Sequence, residues 1–321
     1  MKKGFHFDQA GEGTPFARIT NVGAVSGGEA FLMEGESVTL LFDSGYGFCG
    51  RETVRRIETQ IGDKPLDYVL LTHSHYDHAL GSPACKRRWP GVRVAASEYA
   101  VSVFARPGAR ETMRIMDADA ARVFGYENGF DWTEELKVDI PVRDGDELFL
   151  VPSDSGSGRD DLTSLRGGLK VRVVALPGHT KCSVGYWFEE ERLLLASESL
   201  GVYGGEDRIT PCCLVGYRMM LDSLERAKRL APAHMLIPHC GLLHGEECLR
   251  YLERAKEWAG VCREIVIKGD RAGKGREEIC RDLKRIFYRG LACENQPEKA
   301  FDLNTGYLVS IILKECTENV G

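Results

Sequence analysis

Residues 68–78, Tyr-Val-Leu-Leu-Thr-His-Ser-His-Tyr-Asp-His, constrain the fold more than any other stretch. The first half is apolar and rich in β-formers, the pattern of a strand buried on both faces. The second half places His73, His75, Asp77 and His78 within six residues. A core cannot hide such groups unpaired. Each buried neutral polar group without a partner costs roughly 2–7 kcal/mol, and a bare charge costs more. A divalent metal resolves the conflict, because imidazole nitrogen and carboxylate oxygen are its ligands. His73 and His75 are two apart, so an extended strand end points both the same way. Asp77 and His78 are adjacent and diverge where the chain turns, which suits a second metal. Three of the eight histidines crowd into this window, which weighs against a polar loop carrying them by chance.

The same grammar recurs along the chain. Strand-like runs from Pro15 to Val25 and from Glu29 to Gly35 precede the apolar run Ser37–Gly45, which carries Asp43 at its end. Val54, Ile57 and Ile61 mark a helix from Arg51 to Ile61. A further helix is expected from the histidine cluster to Arg88, then a strand at Val92–Ala96. Leu169–Pro177 becomes fully apolar and leads into Gly178 and His179. Arg192–Ser197 ends in Glu198, and Met235–Pro238 ends in His239. Apolar strands that each finish in a ligand-capable residue bring those residues to one sheet edge, where α/β proteins place their chemistry.

Between these segments, residues 98–135 are helical in pattern, with Arg110, Glu111, Arg114, Asp117 and Asp119 interleaved. Residues 98–168 form a candidate lid or insert, and the Ser-, Gly- and Asp-rich part from Ser153 to Gly168 reads as a loop. After Gly245 the pattern becomes purely helical. Cys248, Leu252, Ala255, Ala259, Cys262 and Val266 mark one face. Ile279, Leu283, Ile286 and Phe287 mark a second, and Phe301, Leu303, Tyr307, Leu308 and Ile311 a third. Residues 1–245 therefore read as a catalytic domain and 246–321 as a helical C-terminal subdomain. That subdomain packs on the sheets, lines the pocket or forms a homodimer. The Gly-rich link at 269–275 lacks phosphate-loop spacing and follows a helix.

A net charge of −6 argues against a nucleic-acid partner. The basic triplet Lys86-Arg87-Arg88 reads as a solvated helix end. Eleven cysteines without a CxxC pair, and an opening Met-Lys-Lys-Gly with no apolar leader, point to free thiols in a cytoplasmic protein. No apolar run is long enough for a membrane span.

His73-x-His75-x-Asp77-His78, His179 after Pro-Gly, an acidic residue at the next strand end and then His239 resemble the metallo-β-lactamase superfamily over roughly residues 15–245. The resemblance implies an α/β fold, a four-layer αβ/βα sandwich, here with a helical C-terminal extension. It implies that His73, His75 and His179 hold one metal, and that Asp77, His78 and His239 hold a second. Glu198 takes the place of the family's usual aspartate, so its bridging of both ions stays open. Asp43 matches a strand-end aspartate that anchors the site without binding metal.

The implied activity is that of a binuclear, metal-dependent hydrolase acting on a small ester, thioester or lactone. Two zinc ions per chain are expected, with iron or manganese as alternatives. A metal-bound hydroxide would attack the electrophile, with Asp77 orienting it. Lys181 is a candidate to hold a substrate carboxylate and Tyr203 to donate to an oxyanion. Tyr76 is a candidate wall residue. His244 reads as a supporting or surface histidine, Cys240 as wall, and His6 and His234 as structural. The competing reading is an iron-dependent redox enzyme, such as a persulfide dioxygenase, on the same scaffold. A metal-stabilised binding protein without catalysis is the third.

Overall fold

In a computed structural model the structure describes residues 4–8, 11–126, 135–153 and 168–317. The loop expected at Ser153–Gly168 lies almost wholly outside the described residues.

One mixed sheet runs in spatial order through β1 (Phe16–Asn21), β2 (Phe31–Gly35), β3 (Thr39–Phe42), β4 (Tyr68–Leu70), β5 (Arg93–Ser97) and β6 (Ile140–Val142). Its first two pairings are antiparallel, and β3 to β6 run parallel. The helices that permit these parallel crossovers are α1 (Gly50–Ile61), α2 (Tyr76–Ala79), α3 (Ser82–Arg88), α4 (Glu98–Phe104) and α5 (Pro107–Val123). The second sheet contains β7 (Glu147–Leu150), β8 (Leu169–Ala175), β9 (Val184–Phe188) and β10 (Leu193–Leu195). The ribbon of β11 (Val202–Tyr203) and β12 (Ile209–Thr210) and the helix α6 (Tyr217–Leu230) then lead to β13 (His234–Ile237) and β14 (Gly241–His244). In space the sheet order is β14-β13-β10-β9-β8-β7.

The two sheets face each other across an apolar layer built from Phe16, Phe42, Leu70, Tyr186, Phe188 and Leu195. The outer face of the first sheet is covered by its helices through Ile57, Cys85, Phe104 and Met113. The second sheet is covered by α6 and by α7 (Glu246–Arg271), with Leu224, Tyr251 and Leu252 packed on Met235 and Leu243. Helices, sheet, sheet and helices thus give the four layers that the sequence leads one to expect.

The C-terminal helices α8 (Arg276–Phe287), α9 (Leu291–Asn295) and α10 (Glu298–Thr317) extend this last layer. Ile279, Leu283 and Phe287 share a core with Phe301, Leu308, Cys213, Tyr217 and Cys262. No helix among the described residues is long and apolar enough to cross a membrane.

Two expectations need correction. The helix after the histidine cluster is two helices, α2 and α3, broken around Gly81. There the backbone presses so closely on Ser44 that an added Cβ would lie 1.9 Å from its carbonyl oxygen. On α10, Leu303 and Tyr307 do not face the core. They are 47% and 49% exposed, and the buried stripe runs instead through Phe301, Thr305, Leu308, Val309 and Ile312.

Candidate metal centre

The strand ends converge as their apolar runs require. His73 follows β4, His179 follows β8, Glu198 follows β10 and His239 follows β13. Asp77 and His78 sit in the short helix α2, one turn beyond His73 and His75. Donor atoms of His73, His75, His179 and Glu198 lie within 4.8 Å of one another, and those of Asp77, His78 and His239 form a second such group. These are the two groupings that the spacing and the resemblance had separated.

Backbone strain fixes several of these positions. His239 and Asp43 are non-glycine residues in the left-handed region, at φ 61° and 53°. Such conformations cost about 1–3 kcal/mol each and persist only where the surroundings hold them. Before His179, Gly178 has φ 135°, and a Cβ there would meet the Met220 backbone at 2.6 Å. The His179 amide also donates to Ser199 Oγ at 3.0 Å, which ties this loop to the residue after Glu198.

Each anchored imidazole is held by one nitrogen and presents the other to the centre. His78 Nδ1 donates to Asp43 Oδ2 at 2.8 Å. His73 Nδ1 donates to Thr72 Oγ1 at 2.9 Å, and that hydroxyl donates to Asp43 Oδ2, also at 2.9 Å. His179 Nδ1 donates to the Cys212 carbonyl at 3.1 Å, and His239 Nδ1 to Glu29 Oε2 at 2.8 Å. Metal-binding histidines are oriented in this way by the partner of their second nitrogen.

The inward nitrogens crowd together. His179 Nε2 is 3.0 Å from His75 Nδ1, and His239 Nε2 is 3.1 Å from His78 Nε2. Zinc–nitrogen bonds of about 2.0–2.1 Å in tetrahedral array set two such nitrogens roughly 3.3 Å apart. Glu198 lies across both groups, with Oε2 2.7 Å from His179 Nε2 and Oε1 3.1 Å from His239 Nε2. His73 Nε2 and Asp77 Oδ1 are buried and carry no hydrogen bond among the described residues.

The charge balance makes the same demand. Burial, with the neighbouring imidazoles, holds His73 and His75 well below the ordinary histidine range. Burial also opposes the charge on His78 and His239, but carboxylates overcome it. Asp43 and Asp77 push His78 up to about 10, and Glu198 and Glu29 lift His239 well above its usual value. Against the upward pull of burial, His179, His239 and His78 hold Glu198 well below its usual range. Asp77 is raised by burial. Left to themselves, these carboxylates keep protons on two buried imidazoles. Divalent cations would replace those protons and engage His73 Nε2 and Asp77 Oδ1, so the donor set fits a metal.

The other candidates fall as follows. Tyr76 is buried against Tyr46, ring centroids 5.6 Å apart, and lines the cavity beside the centre. Tyr203 lines it too, but its hydroxyl donates to the Glu206 carbonyl at 3.2 Å and accepts from the Phe5 amide at 3.3 Å. Its hydroxyl is therefore engaged by backbone groups. Lys181, expected to meet a substrate carboxylate, is exposed at the tip of a tight turn and does not line the cavity. Its neighbours turn inward, with Cys182 Sγ 3.3 Å from Ser74 Oγ. His244 pairs with His234, Nδ1 to Nδ1 at 2.7 Å, away from the centre. His6 is exposed and Cys240 half-buried. Lys86, Arg87 and Arg88 pair with Asp139, Glu135 and Glu58, as a solvated helix end should. All eleven cysteines are free thiols.

Sequence reasoning missed Glu29, Thr72 and the Cys212 carbonyl. Glu29 reaches His239 across 210 residues of chain, and nothing in its Gly-Gly-Glu context marks it. Thr72 precedes the first histidine and had the better signal, because a hydroxyl at a strand end next to a ligand is suited to orient it.

The profile of the metallo-beta-lactamase superfamily matches residues 23–233. A metallo-beta-lactamase fold-containing protein of Sulfurisphaera tokodaii is 25% identical over 272 residues, covering 81% of this chain and 89% of that protein. A hydroxyacylglutathione hydrolase of Methylobacterium sp. strain 4-46 is 29% identical over 136 residues, covering 42% of this chain. That match spans only 34% of the enzyme's length. A crystal structure of a metallo-beta-lactamase family protein from Thermus thermophilus shares the fold with a TM-score of 0.56 at 20% identity, covering 94% of this chain and 90% of that one. With the profile spanning well over half its residues and the four layers in place, this chain belongs to the metallo-beta-lactamase superfamily.

Proposed function

We propose that this protein is a binuclear, zinc-dependent hydrolase of a small ester, thioester or lactone. The observation that carries this reading is the pair of donor groups, one holding His73 and the other Asp77, with His73 Nε2 and Asp77 Oδ1 buried and without a hydrogen bond among the described residues. The partial likeness to a hydroxyacylglutathione hydrolase supports a thioester or related acyl bond.

His73, His75, His179 and Glu198 would hold one ion, and Asp77, His78, His239 and Glu198 the other. When bound, the ions supply an activated water near neutral pH and polarise the acyl carbonyl. The chain's own residues do the rest. Asp43, Thr72, the Cys212 carbonyl and Glu29 lock the imidazole orientations, so little reorganisation is needed during reaction. The Asp77 carboxylate oxygen left free by the ion would accept a hydrogen bond from the attacking water and orient it. Water adds to the acyl carbon and the C–O or C–S bond breaks. The proton shed by water ends on the alcohol or thiol, and a carboxylic acid is released.

Metal analysis of anaerobically purified protein tells zinc from iron. Turnover of a panel of thioesters, esters, lactones and phosphodiesters then tests the reaction class. Acyl-bond cleavage by the zinc-loaded protein, lost in His75→Ala, supports the proposal. Iron with no hydrolysis of any panel member overturns it.

A further inference from the structure

The metal centre opens into a cavity of about 430 Å³, within the range of about 300–1,000 Å³ usual for small-molecule sites. Two helices wall it. On α5 the lining residues are Ala109, Thr112, Met113 and Met116, and on α10 they include Ala300, Leu303, Asn304 and Tyr307. Both sets repeat at i, i+3, i+4 and i+7, so each helix turns one continuous stripe toward the space. The α5 stripe is rich in methionine, which adapts its shape to what it meets.

The α10 stripe explains why Leu303 and Tyr307 stay half exposed. They are one turn apart beside the cavity, on a different stripe from the one that packs against the core. Lys299 Nζ pairs with Asp119 Oδ2 at 2.6 Å and ties α10 to α5. Among the described residues, no lysine or arginine lines the cavity, whereas Asp77 and Glu198 do.

We propose that this chamber between α5 and α10 holds the apolar acyl chain of an uncharged ester or thioester. The inference rests on the hydrolase reading above and narrows its substrate class. Apolar walls favour a longer hydrocarbon chain, and among the described residues no lysine or arginine lines the cavity to receive the carboxylates of an anionic leaving group such as glutathione. Leu303, Met113 and Met116 set chain-length specificity.

The test uses the zinc-loaded protein and S-acyl N-acetylcysteamines from acetyl to octanoyl. kcat/KM is expected to rise about fourfold per methylene until the chamber fills. S-octanoyl glutathione is expected to be at least tenfold poorer than the neutral octanoyl thioester. Leu303→Glu, on an exposed helical surface, is expected to lower the octanoyl-to-acetyl ratio at least tenfold. A flat chain-length profile, or a preference for the glutathione thioester, overturns the inference. Calorimetry with octanamide and butanamide gives a readout independent of turnover. Tighter binding of octanamide, weakened by Leu303→Glu, supports the chamber even if no thioester is cleaved, in which case only the hydrolase reading fails. Equal or absent binding of the two amides overturns the chamber.

Discussion

Asp43 orients two histidines that the chain places five residues apart. Its Oδ2 accepts directly from His78 Nδ1 at 2.8 Å and reaches His73 through Thr72 Oγ1. It does so from a left-handed backbone conformation at the end of β3. Asp43→Asn keeps the shape but removes the charge that favours N–H on His78. Removing such a supporting partner typically costs about 10–100-fold in metal affinity. A chelator competition titration is expected to show a loss in that range. Unchanged affinity would mean that Asp43 only packs.

Glu198 sends one oxygen toward each donor group, to His179 at 2.7 Å and to His239 at 3.1 Å. Glu198→Ala is therefore expected to lower the occupancy of both ions, measured as metal equivalents per chain after dialysis. Loss of one equivalent with the other fully retained would show that Glu198 serves a single site.

His239 depends on a residue far away in sequence. Glu29 Oε2 accepts from His239 Nδ1 at 2.8 Å. Glu29→Ala is expected to weaken metal binding about 10–100-fold, with Glu29→Gln recovering part of it through its amide oxygen. Equal affinity in wild type and both variants would show that His239 needs no such anchor.

How much of this was legible before folding differs from residue to residue. His179, Glu198 and His239 stand out because each ends an apolar strand with a group that a core cannot bury alone. The sandwich follows from those strands and the helices between them. Glu29 was hidden, since its partner lies on the other sheet and no local pattern links them. The break at Gly81 depends on contact with Ser44, which helical periodicity cannot register. On α10 two apolar stripes coexist, one through Leu303 and Tyr307 and one through Phe301, Leu308 and Ile312. Spacing alone cannot say which of them meets the core. Lys181 looked useful because it follows His179 so closely, but the tight turn sends it to solvent.

The layer between the sheets should dominate stability. Phe188 is fully buried there and meets Phe16 edge-on, ring centroids 5.5 Å apart. Phe188→Ala is expected to cost about 3–5 kcal/mol in denaturant unfolding. A loss below about 1 kcal/mol, less than the burial of such a side chain is worth, would contradict the packing.

Thiol chemistry should divide the cysteines sharply. Burial pushes Cys85 up to about 12, and burial with the nearby Asp117 does the same for Cys49. Cys293 is exposed. At pH 8 a disulfide reagent is expected to label Cys293 within minutes and Cys49 and Cys85 only after unfolding. Because these buried thiols bind protons more tightly when folded, their contribution to stability is complete below about pH 8.5 and declines as pH rises toward 12. Fast native labelling of Cys85 would contradict its burial.

The most direct test is metal content per chain, measured by elemental analysis on protein equilibrated with zinc and freed of excess. Two equivalents are expected for the wild type, falling to about one or fewer in His75→Ala with the fold retained by circular dichroism. Fewer than half an equivalent in the wild type, or the same content in the variant, would contradict a centre built from these imidazoles and carboxylates.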